Sequence, residues 1–216
     1  MAIIQNPVIG AASGTFGTAI FQEQYGKHVL RTKPLTYRDK NTTEQQQNRG
    51  KFRTAQLWVI KFLSIIRTGF ASYRENMSAY AAALGWYISN AVTGTLDNYS
   101  ISYSNAIFSF GDLLNVTSFD APILNPGNHF TFDFENNSGI GNASASDSVN
   151  IILFNQTQNK FITLSDVRSR TYIDDDFSGM YLNLNDVCHI WMYCINDSGT
   201  TISNTTYVGQ YSVIAP

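Results

Sequence analysis

Charged side chains are scarce in this sequence of 216 residues, since Asp, Glu, Lys and Arg make up only 14% of it, against about 25% in a typical soluble domain. Hydrophobic residues reach 44%, which is enough for a sizeable core and argues against a wholly disordered chain. Uncharged Asn, Ser, Thr and Gln supply most of the remaining polar surface. Such a surface suits a protein that is packed among copies of itself or among partners.

Long apolar runs are also missing. No stretch approaches the roughly 18 apolar residues that a membrane-spanning helix requires, so we expect no membrane association. Residues 1–7 show no basic region followed by an apolar core and therefore do not resemble a secretory signal peptide. We expect synthesis in the cytoplasm of a host cell, without secretion through a signal peptide.

The sequence has only two cysteines and three histidines. Cys188 and Cys194 fall in one predicted strand at a separation of roughly 20 Å, which is too long for a disulfide. We therefore expect them to be small core residues. His189 and Cys188 alternate along the strand and so point to opposite faces. Because no zinc-ligand spacing is present, we predict no metal site and no cofactor.

Motifs of common enzyme classes are absent from the sequence, which has no P-loop, no G-x-S-x-G and no complete G-x-G-x-x-G. Asp133 and Glu135 form a same-face carboxylate pair of the kind that glycosidases use, but alternation places both on the solvent face. The consecutive aspartates at 174–176 lack the residue order of an EF-hand, which favours a solvated turn. We predict a protein without enzymatic activity and without catalytic residues.

Charge is distributed unevenly along the chain. Residues 1–96 contain 11 of the 14 Lys and Arg residues, whereas residues 97–216 contain 12 of the 16 Asp and Glu residues. A bipolar chain of this kind can pack head to tail, or place its basic half against nucleic acid or an acidic neighbour. Two modules with independently drifting composition would give the same asymmetry.

The first 40 residues are rich in glycine and in short apolar runs. Gly26 separates two strand-like segments, which predicts a β-hairpin that ends at Pro34 and follows a flexible arm. Basic and aromatic side chains concentrate here and at the start of the next segment. Because a lone hairpin is marginal in water, we predict an assembly interface. Its predicted residues are Phe16, Phe21, Tyr25, Lys27, Arg31, Lys33, Arg49 and Phe52.

The following segment has the period of helices. Asn41 and Glu44 match a capping box, and the helix that they begin is expected to end at Gly69. Its apolar stripe consists of Phe52, Ala55, Val59, Phe62 and Ile66, widened by Trp58 and Ile65. A second helix is expected from about Arg74 to Val92, with a stripe of Met77, Tyr80, Ala81, Leu84, Ile88 and Ala91. The pair predicts an αα-hairpin.

From about residue 97 the period changes to two. Strand-like segments cover 99–104, 106–110, 130–135, 149–154, 161–164, 180–184, 187–195 and 206–214. Short strands at this spacing predict an antiparallel Ig-like β-sandwich, with Trp191 as a core aromatic. The predicted fold class is therefore α+β, with an N-terminal arm and β-hairpin in residues 1–40, an αα-hairpin in 41–96 and the sandwich in 97–216.

Three segments near the N-terminus carry a family resemblance. They are G-x-x-S-G-x-x-G at 10–17, G-K-x-x-x-R-x-K-P at 26–34, and the helix start at 41–52. With weaker similarity at 91–95, 103–104, 109–111, 147–150, 187–191 and 203–209, the chain resembles an uncharacterised domain family of Bacteroidetes bacteria and their phages. The resemblance implies no activity and no catalytic residues. The occurrence of the family in phage genomes implies a component of the virion.

Taken together, these patterns favour a bacteriophage structural protein of the capsid or head–tail region. We expect it to assemble with itself or with other virion proteins through its basic N-terminal arm and helices. One alternative is a carbohydrate- or surface-binding module that uses Tyr172, Trp191 and Tyr207. A second alternative is a nucleic-acid-associated protein that uses the basic N-terminal half.

Overall fold

Two compact units, Met1–Gln46 and Gln47–Pro216, make up the chain. The computed structural model describes residues 2–4, 13–34, 36, 39–73, 76–96, 98–119, 123–125, 129–132, 134–164, 170, 175–177 and 182–213. Within these ranges the protein is of the mixed α+β class, with three α-helices and several antiparallel sheets. The predicted fold class is confirmed at this level, while the three-part domain division stays a prediction.

The helices precede most of the strands. They are α1 (Thr43–Lys61), α2 (Leu63–Gly69), α3 (Ala79–Asn90) and a short 3₁₀ helix (Tyr103–Asn105). The strands are β1 (Ala2–Ile4), β2 (Gly14–Phe16), β3 (Ala19–Gln24), β4 (Lys27–Thr32), β5 (Val92–Thr95), β6 (Asn98–Ile101), β7 (Thr117–Phe119), β8 (Ile123–Asn125), β9 (His129–Phe132), β10 (Phe134–Glu135), β11 (Ser148–Asn155), β12 (Lys160–Leu164), β13 (Asp175–Phe177), β14 (Val187–Ile195) and β15 (Thr206–Ser212).

The first unit contains a four-stranded antiparallel sheet in the order β1-β4-β3-β2. Strands β3 and β4 form the predicted hairpin, and Tyr25 and Gly26 in its turn have φ values of 50° and 71°. Two consecutive positive φ angles are typical of the type I′ turn, whose twist matches that of the paired strands. The hairpin is confirmed, but β1 and β2 occupy part of the region expected to be a flexible arm. These strands have only three residues each, too few to show a period.

Helix α1 begins with a capping box one residue later than predicted. Thr42 Oγ1 accepts a hydrogen bond from Gln45 N at 3.3 Å, while Gln45 Oε1 accepts one from Thr42 N at 3.1 Å. This reciprocal pair satisfies backbone donors that the first helical turn leaves free. The prediction of Asn41 and Glu44 in these roles is wrong. Asn41 has φ 46° and donates its N–H to Asp39 Oδ1 at 3.0 Å.

The single helix predicted up to Gly69 is divided at Phe62 into α1 and α2. The predicted apolar stripe is buried apart from Phe52, which is 45% exposed. Helix α3 has Ser78 as its N-cap, with Oγ accepting from Ala81 N at 3.2 Å. The predicted start near Arg74 is therefore wrong, and Arg74 itself lies outside the described residues.

The buried face of α3 differs from its predicted stripe. Leu84 and Ala91 are buried as predicted, but Met77 and Ala81 are exposed. The residues that join Leu84 and Ala91 in the core are Ala82, Ala83 and Tyr87. Alanine is common on both sides of this helix, so spacing alone does not distinguish its inner from its outer face.

The second unit is centred on an antiparallel sheet in the order β12-β11-β14-β15. Strand β14 has the predicted bounds, and all its residues from 188 to 194 are buried. Trp191 and Tyr193 face a hydrophobic cluster formed with the three helices, while Cys188 and Cys194 face a second cluster on the other side of the sheet. The central strand is therefore covered on both faces, and its sequence is almost continuously apolar.

The cluster on the helix side is built from aromatic contacts. The ring of Trp58 lies 4.7 Å from Phe62 and 5.1 Å from Phe154, centroid to centroid. Trp191 is fully buried, and its Nε1 donates to the backbone oxygen of Tyr103 at 3.1 Å. The prediction of Trp191 as a core aromatic is confirmed. Both cysteines are also free and buried, as predicted.

Two predicted strands are absent from the described residues. Residues 106–110 form no strand, because Thr205 Oγ1 accepts from the N–H groups of Phe108 and Ser109 at 3.0 and 2.8 Å, and Phe110 N donates to Gly69 O at 2.9 Å. The segment is thus bound by side chains and helix ends instead of a neighbouring strand. Residues 182–184 lead into a turn with Asn185 at φ 67°. Residues 180 and 181 lie outside the described residues.

The remaining strand predictions differ from the structure mainly in their bounds. The predicted strand 99–104 becomes β6, paired with β5, and then the 3₁₀ helix. The predicted strand 130–135 divides into β9, in a three-stranded sheet, and β10, paired with β7. The short strands β7, β8 and β13 were not predicted. Strands of three residues are too short to show an alternating period.

Asparagine side chains fix many loops of the second unit. Asn115 Nδ2 donates to the backbone oxygens of Met192 and Asn204 at 3.2 and 3.1 Å, while its Oδ1 accepts from Val116 N at 2.9 Å. One amide therefore joins a loop to β14 and to the segment before β15. An amide offers a donor and an acceptor without the desolvation cost of a charge. This use of asparagine fits the low charge content of the chain.

Arg170 is the exception to this uncharged chemistry. Its side chain is fully buried and pairs with Asp147, Nε to Oδ2, at 2.9 Å. Its Nη1 donates to Asn137 Oδ1 at 2.8 Å, and its Nη2 donates to the backbone oxygen of Leu114. One guanidinium therefore joins three chain segments far apart in sequence.

We predict that Arg170→Met lowers the free energy of unfolding by about 3 to 5 kcal/mol, because it leaves the buried Asp147 carboxylate without its partner. Urea denaturation measures the change. The matched control is Arg67→Met, since Arg67 is exposed on α2 and its loss should change stability by no more than about 0.5 kcal/mol. Equal midpoints for the two variants would contradict the prediction.

Two helical glycines should respond in opposite directions to alanine. A Cβ on Gly69 would lie 1.9 Å from the backbone oxygen of Phe108, whereas a Cβ on Gly85 would meet nothing within 4 Å. We expect Gly69→Ala to destabilise the protein by roughly 1 to 3 kcal/mol through the clash, and Gly85→Ala to stabilise it by about 0.5 to 1 kcal/mol through helix propensity. Thermal denaturation of both variants tests the difference in sign.

Candidate functional site

The predicted interface residues lie in both units. Six of them belong to the first unit, namely Phe16, Phe21, Tyr25, Lys27, Arg31 and Lys33, and two lie on α1 within the second, namely Arg49 and Phe52. All of them are exposed or half-buried. Each group is therefore considered within its own unit.

The sheet of the first unit separates aromatic from basic side chains. The register pairs Phe16 with Ala19 and Phe21 with Leu30, which places these four residues on one face. Lys27 and Arg31 lie on the opposite face. Val29, which lies between them in the sequence, shares this face and is buried. The predicted interface residues thus form an aromatic face and a basic face of the same sheet.

The aromatic face ends at an open strand edge. Strand β2 is the outermost strand beside β3, so one side of its backbone has no strand partner among the described residues. Phe16, its last residue, is 83% exposed. An exposed edge strand is a template for pairing with another chain, and a large exposed aromatic side chain supplies apolar area for such a contact.

Helix α1 carries a second exposed apolar surface, which the sequence analysis did not identify. Leu57 is 63% exposed and Ile60 is 50% exposed, and both lie opposite the buried residues Ala55 and Val59. With Arg49 and Arg53 they follow the spacing of one helical face. We call these four residues the outer face of α1. The sequence contains a signal for this surface, because Leu57 and Ile60 fall outside the helical spacing of the buried apolar stripe.

A histidine network lies on the helix side of the main sheet. His189 is buried, and its Nε2 lies 3.0 Å from Gln156 Oε1 while its Nδ1 lies 2.9 Å from the Tyr207 hydroxyl. Because an amide oxygen only accepts, Nε2 carries the proton and the Tyr207 O–H donates to Nδ1. The ring of Tyr103 covers the imidazole at a centroid distance of 4.1 Å.

Burial keeps the titratable groups of β14 neutral. It lowers the pKa of His189 to about 4, and it raises the pKa of Cys188 to about 12, with the nearby Asp186 carboxylate contributing to the second shift. Burial also raises the pKa of Tyr193 to about 12. None of these groups is charged near neutral pH. They act as packing and hydrogen-bonding groups in this strand.

A cavity of about 450 Å³ is lined by α2, the main sheet and the turn after β14. The side chains that line it from α2 are Ser64, Ile65 and Thr68, those from the sheet are Ser148, Asn150, Thr163, Tyr193 and Ile195, and a turn adds Asn196, Asp197, Ser198 and Gly199. Most of these groups are uncharged hydroxyls and amides. This cavity was not foreseen from the sequence.

The acidic residues that the sequence raised as possible site residues are placed as follows. Glu135 is exposed, and Asp133 lies outside the described residues. Asp175 and Asp176 lie in β13, paired with Phe132 and Thr131 of β9, so a turn at these two positions is wrong. Strand β13 is an edge strand, where charged residues are common because they discourage further pairing.

Membrane-spanning helices and clusters of metal ligands are both absent from the described residues. Within these ranges no helix is long and apolar enough to cross a membrane. Within the same ranges, no group of three or more His, Cys, Asp and Glu side chains is placed to hold a metal ion.

The architecture defines the class of the protein: helices packed on one face of a four-stranded antiparallel sheet, with a separate small sheet formed by the N-terminal residues. The chain belongs to a family of unknown function, DUF6266, whose model matches residues 11–209. No curated protein and no solved structure matches the chain. The family match confirms the predicted resemblance to an uncharacterised domain family.

The His189 network predicts a loss of stability in mild acid. The pKa of His189 is 6.5 in the unfolded reference and about 4 in the fold, so between these values only the unfolded chain binds the proton. Stability should therefore fall as pH decreases from 6.5 to 4, by up to about 1.4 kcal/mol per pH unit. Urea denaturation at several pH values tests this. His189→Gln should show a shallower slope, and identical slopes would contradict the prediction.

Proposed function

We propose that this protein is a structural component of a bacteriophage virion, in the capsid or head–tail region, and that it has no enzymatic activity. It is made in the cytoplasm of the host cell and is incorporated into particles with copies of itself or with other virion proteins. The observation that carries the proposal is the exposed Phe16 on the open edge strand β2.

The two surfaces identified on the separate units have the composition of protein interfaces. Aromatic and Arg residues are enriched in interface cores, and Lys, Glu and Asp are depleted there. Phe16 and Phe21 share one face of the first sheet, and the outer face of α1 combines Leu57 and Ile60 with arginine. Each surface leaves apolar area in water that contact with another chain would cover.

The chemistry of the second unit supports a structural role. Buried His189 and Cys188 are neutral at physiological pH, so neither supplies the charged nucleophile or poised base that acid–base catalysis uses. Loops are held by amides such as Asn115. A protein of low charge can be surrounded closely by neighbours with little desolvation cost.

The Ig-like interpretation of the second unit is part of the same proposal. Strands β7 and β10 pair with each other, and Phe134 of β10 belongs to the cluster on the face of the main sheet that the helices do not cover. A second sheet layer at this position would complete a sandwich. The assignment to a virion follows from the resemblance of the sequence segments, which implies occurrence in phage genomes.

The two alternatives have weaker support from the geometry. A sugar-stacking surface with Trp191 is disfavoured because that side chain is fully buried, and Tyr172 lies outside the described residues. Tyr207 is half-buried and donates to His189. For nucleic-acid binding, the exposed Lys27 and Arg31 provide a basic face, and salt-dependent retention on DNA would identify that activity.

We predict that Phe16→Asp prevents incorporation into particles. An exposed carboxylate on the aromatic face should block apolar contact with another chain, while the 83% exposure of Phe16 means that the fold itself should tolerate the change. Particles from a producing culture are separated on a density gradient, and mass spectrometry measures the protein in the particle fraction.

The matched control is Thr15→Asp. Thr15 lies on the same strand and is also exposed, but it points to the opposite face from Phe16. We expect Thr15→Asp to remain with the particles and Phe16→Asp to remain in the unassembled fraction. Absence of the wild-type protein from the particle fraction, or equal incorporation of both variants, would overturn the proposal.

A further inference from the structure

The polar cavity beside α2 carries an inference that is independent of the assembly surfaces. We propose that it is a binding site for a neutral, polyhydroxylated ligand, such as one sugar unit of a surface glycan. Its residues lie entirely within the second unit and include none of the predicted interface residues. It also differs from the sugar-binding surface expected from Tyr172, Trp191 and Tyr207.

The polarity of the sheet changes where the cavity begins. On the helix side of β11, Ile152 and Phe154 pack into the hydrophobic cluster, whereas Ser148 and Asn150, four and two residues earlier than Ile152, line the cavity. All four residues share one face because alternate residues of a strand point the same way. This face of the strand is therefore apolar in the hydrophobic cluster and polar beside the cavity.

This change argues against a packing defect in the core. A void left between helix and sheet would be lined by apolar side chains and would stay dry. Asn150 is only 3% exposed, yet its amide lies at the cavity, with Nδ2 donating to the backbone oxygen of Ser148 at 3.3 Å. A buried amide on this face is consistent with a cavity that holds polar groups.

The turn that lines the cavity is held in place by its own hydrogen bonds. Asn196 Nδ2 donates to Ser198 Oγ at 2.8 Å and to Thr200 Oγ1 at 3.1 Å, while Asn196 Oδ1 accepts from Thr201 N at 2.9 Å. The turn that carries Asp197 and Ser198 is thus ordered before any ligand arrives. Preorganisation of this kind reduces the entropy cost of binding.

The chemistry of the lining selects the ligand class. Hydroxyls of Ser64, Thr68 and Thr163 and the amide of Asn150 offer both donors and acceptors, which suits a ligand with many hydroxyl groups. Among the described residues, Asp197 is the one charged residue of the lining. This described part of the lining contains no lysine or arginine and so offers no counter-ion for phosphate or carboxylate, and the carboxylate of Asp197 repels anions.

The dimensions and the apolar elements agree with this class. The volume of about 450 Å³ falls within the range of roughly 300 to 1,000 Å³ found for small-molecule sites. Tyr193 supplies an aromatic ring, and Ile65 and Ile195 supply aliphatic surface. Sugar rings present C–H groups beside their hydroxyls, so a site with both kinds of surface matches them.

The test uses saturation-transfer-difference NMR on the full-length protein. The neutral probes are the methyl glycosides of glucose, galactose, mannose and N-acetylglucosamine, and the charged probes are glucuronate and glucose 6-phosphate. The variants are Thr68→Phe and Ser64→Phe, which place a ring at the cavity from exposed positions of α2, and the control Arg67→Phe, which adds the same ring to the same helix outside the lining.

We expect at least one neutral glycoside to bind the wild type and Arg67→Phe equally. Its affinity should fall at least about tenfold in Thr68→Phe and in Ser64→Phe, with unchanged thermal midpoints showing that both variants are folded. Absence of binding to every neutral probe would overturn the proposal. So would tighter binding of a charged probe than of any neutral one, or wild-type affinity in both folded cavity variants.

Discussion

The second unit depends on the burial of β14 from both faces. Hydrogen bonds to β11 and β15 occupy both edges of this strand, and the hydroxyls of Thr157 and Ser203 accept from the backbone N–H groups of Val187 and Cys194. Its side chains then divide between two clusters, Trp191 and Tyr193 toward the helices and Ile190 and Met192 away from them. Both hydrophobic clusters of the unit are therefore built against this strand.

Polar structure is achieved here largely without charge. Asn115 and Asp186 illustrate two ways in which polar side chains beside the main sheet are stabilised. The amide of Asn115 joins neutral backbone groups, whereas burial opposes ionisation of Asp186 and hydrogen bonds from Asn183, Asn155 and Gln158 outweigh it, so that its pKa is lowered. Both side chains therefore meet partners that offset the cost of removing them from water.

The sequence predicts regular elements well where their period is long and their burial is asymmetric. The stripe of α1 follows from helical spacing and the turn at Gly26 from the strand-like segments on either side, while the bounds of β14 follow from its almost continuous apolar run. Prediction fails where a side chain distant in sequence determines whether a segment forms a strand. Residues 106–110 alternate like a strand, but Thr205, almost a hundred residues later, accepts their hydrogen bonds. The polar cavity is unpredictable for the same reason, because Thr68 and Asn150 approach each other only in the fold.

The capping of α1 has a consequence for shortened forms of the chain. Among the described residues, Thr42 and Gln45 form the capping box, and the neighbouring hydrogen bonds of Asn41 and Gln46 also join residues between Asp39 and Gln46. The signal for the start of the helix is therefore contained in the sequence immediately around it. A chain shortened to begin at Asp39 would keep both partners of the capping box, so its first helix would start at the same residue.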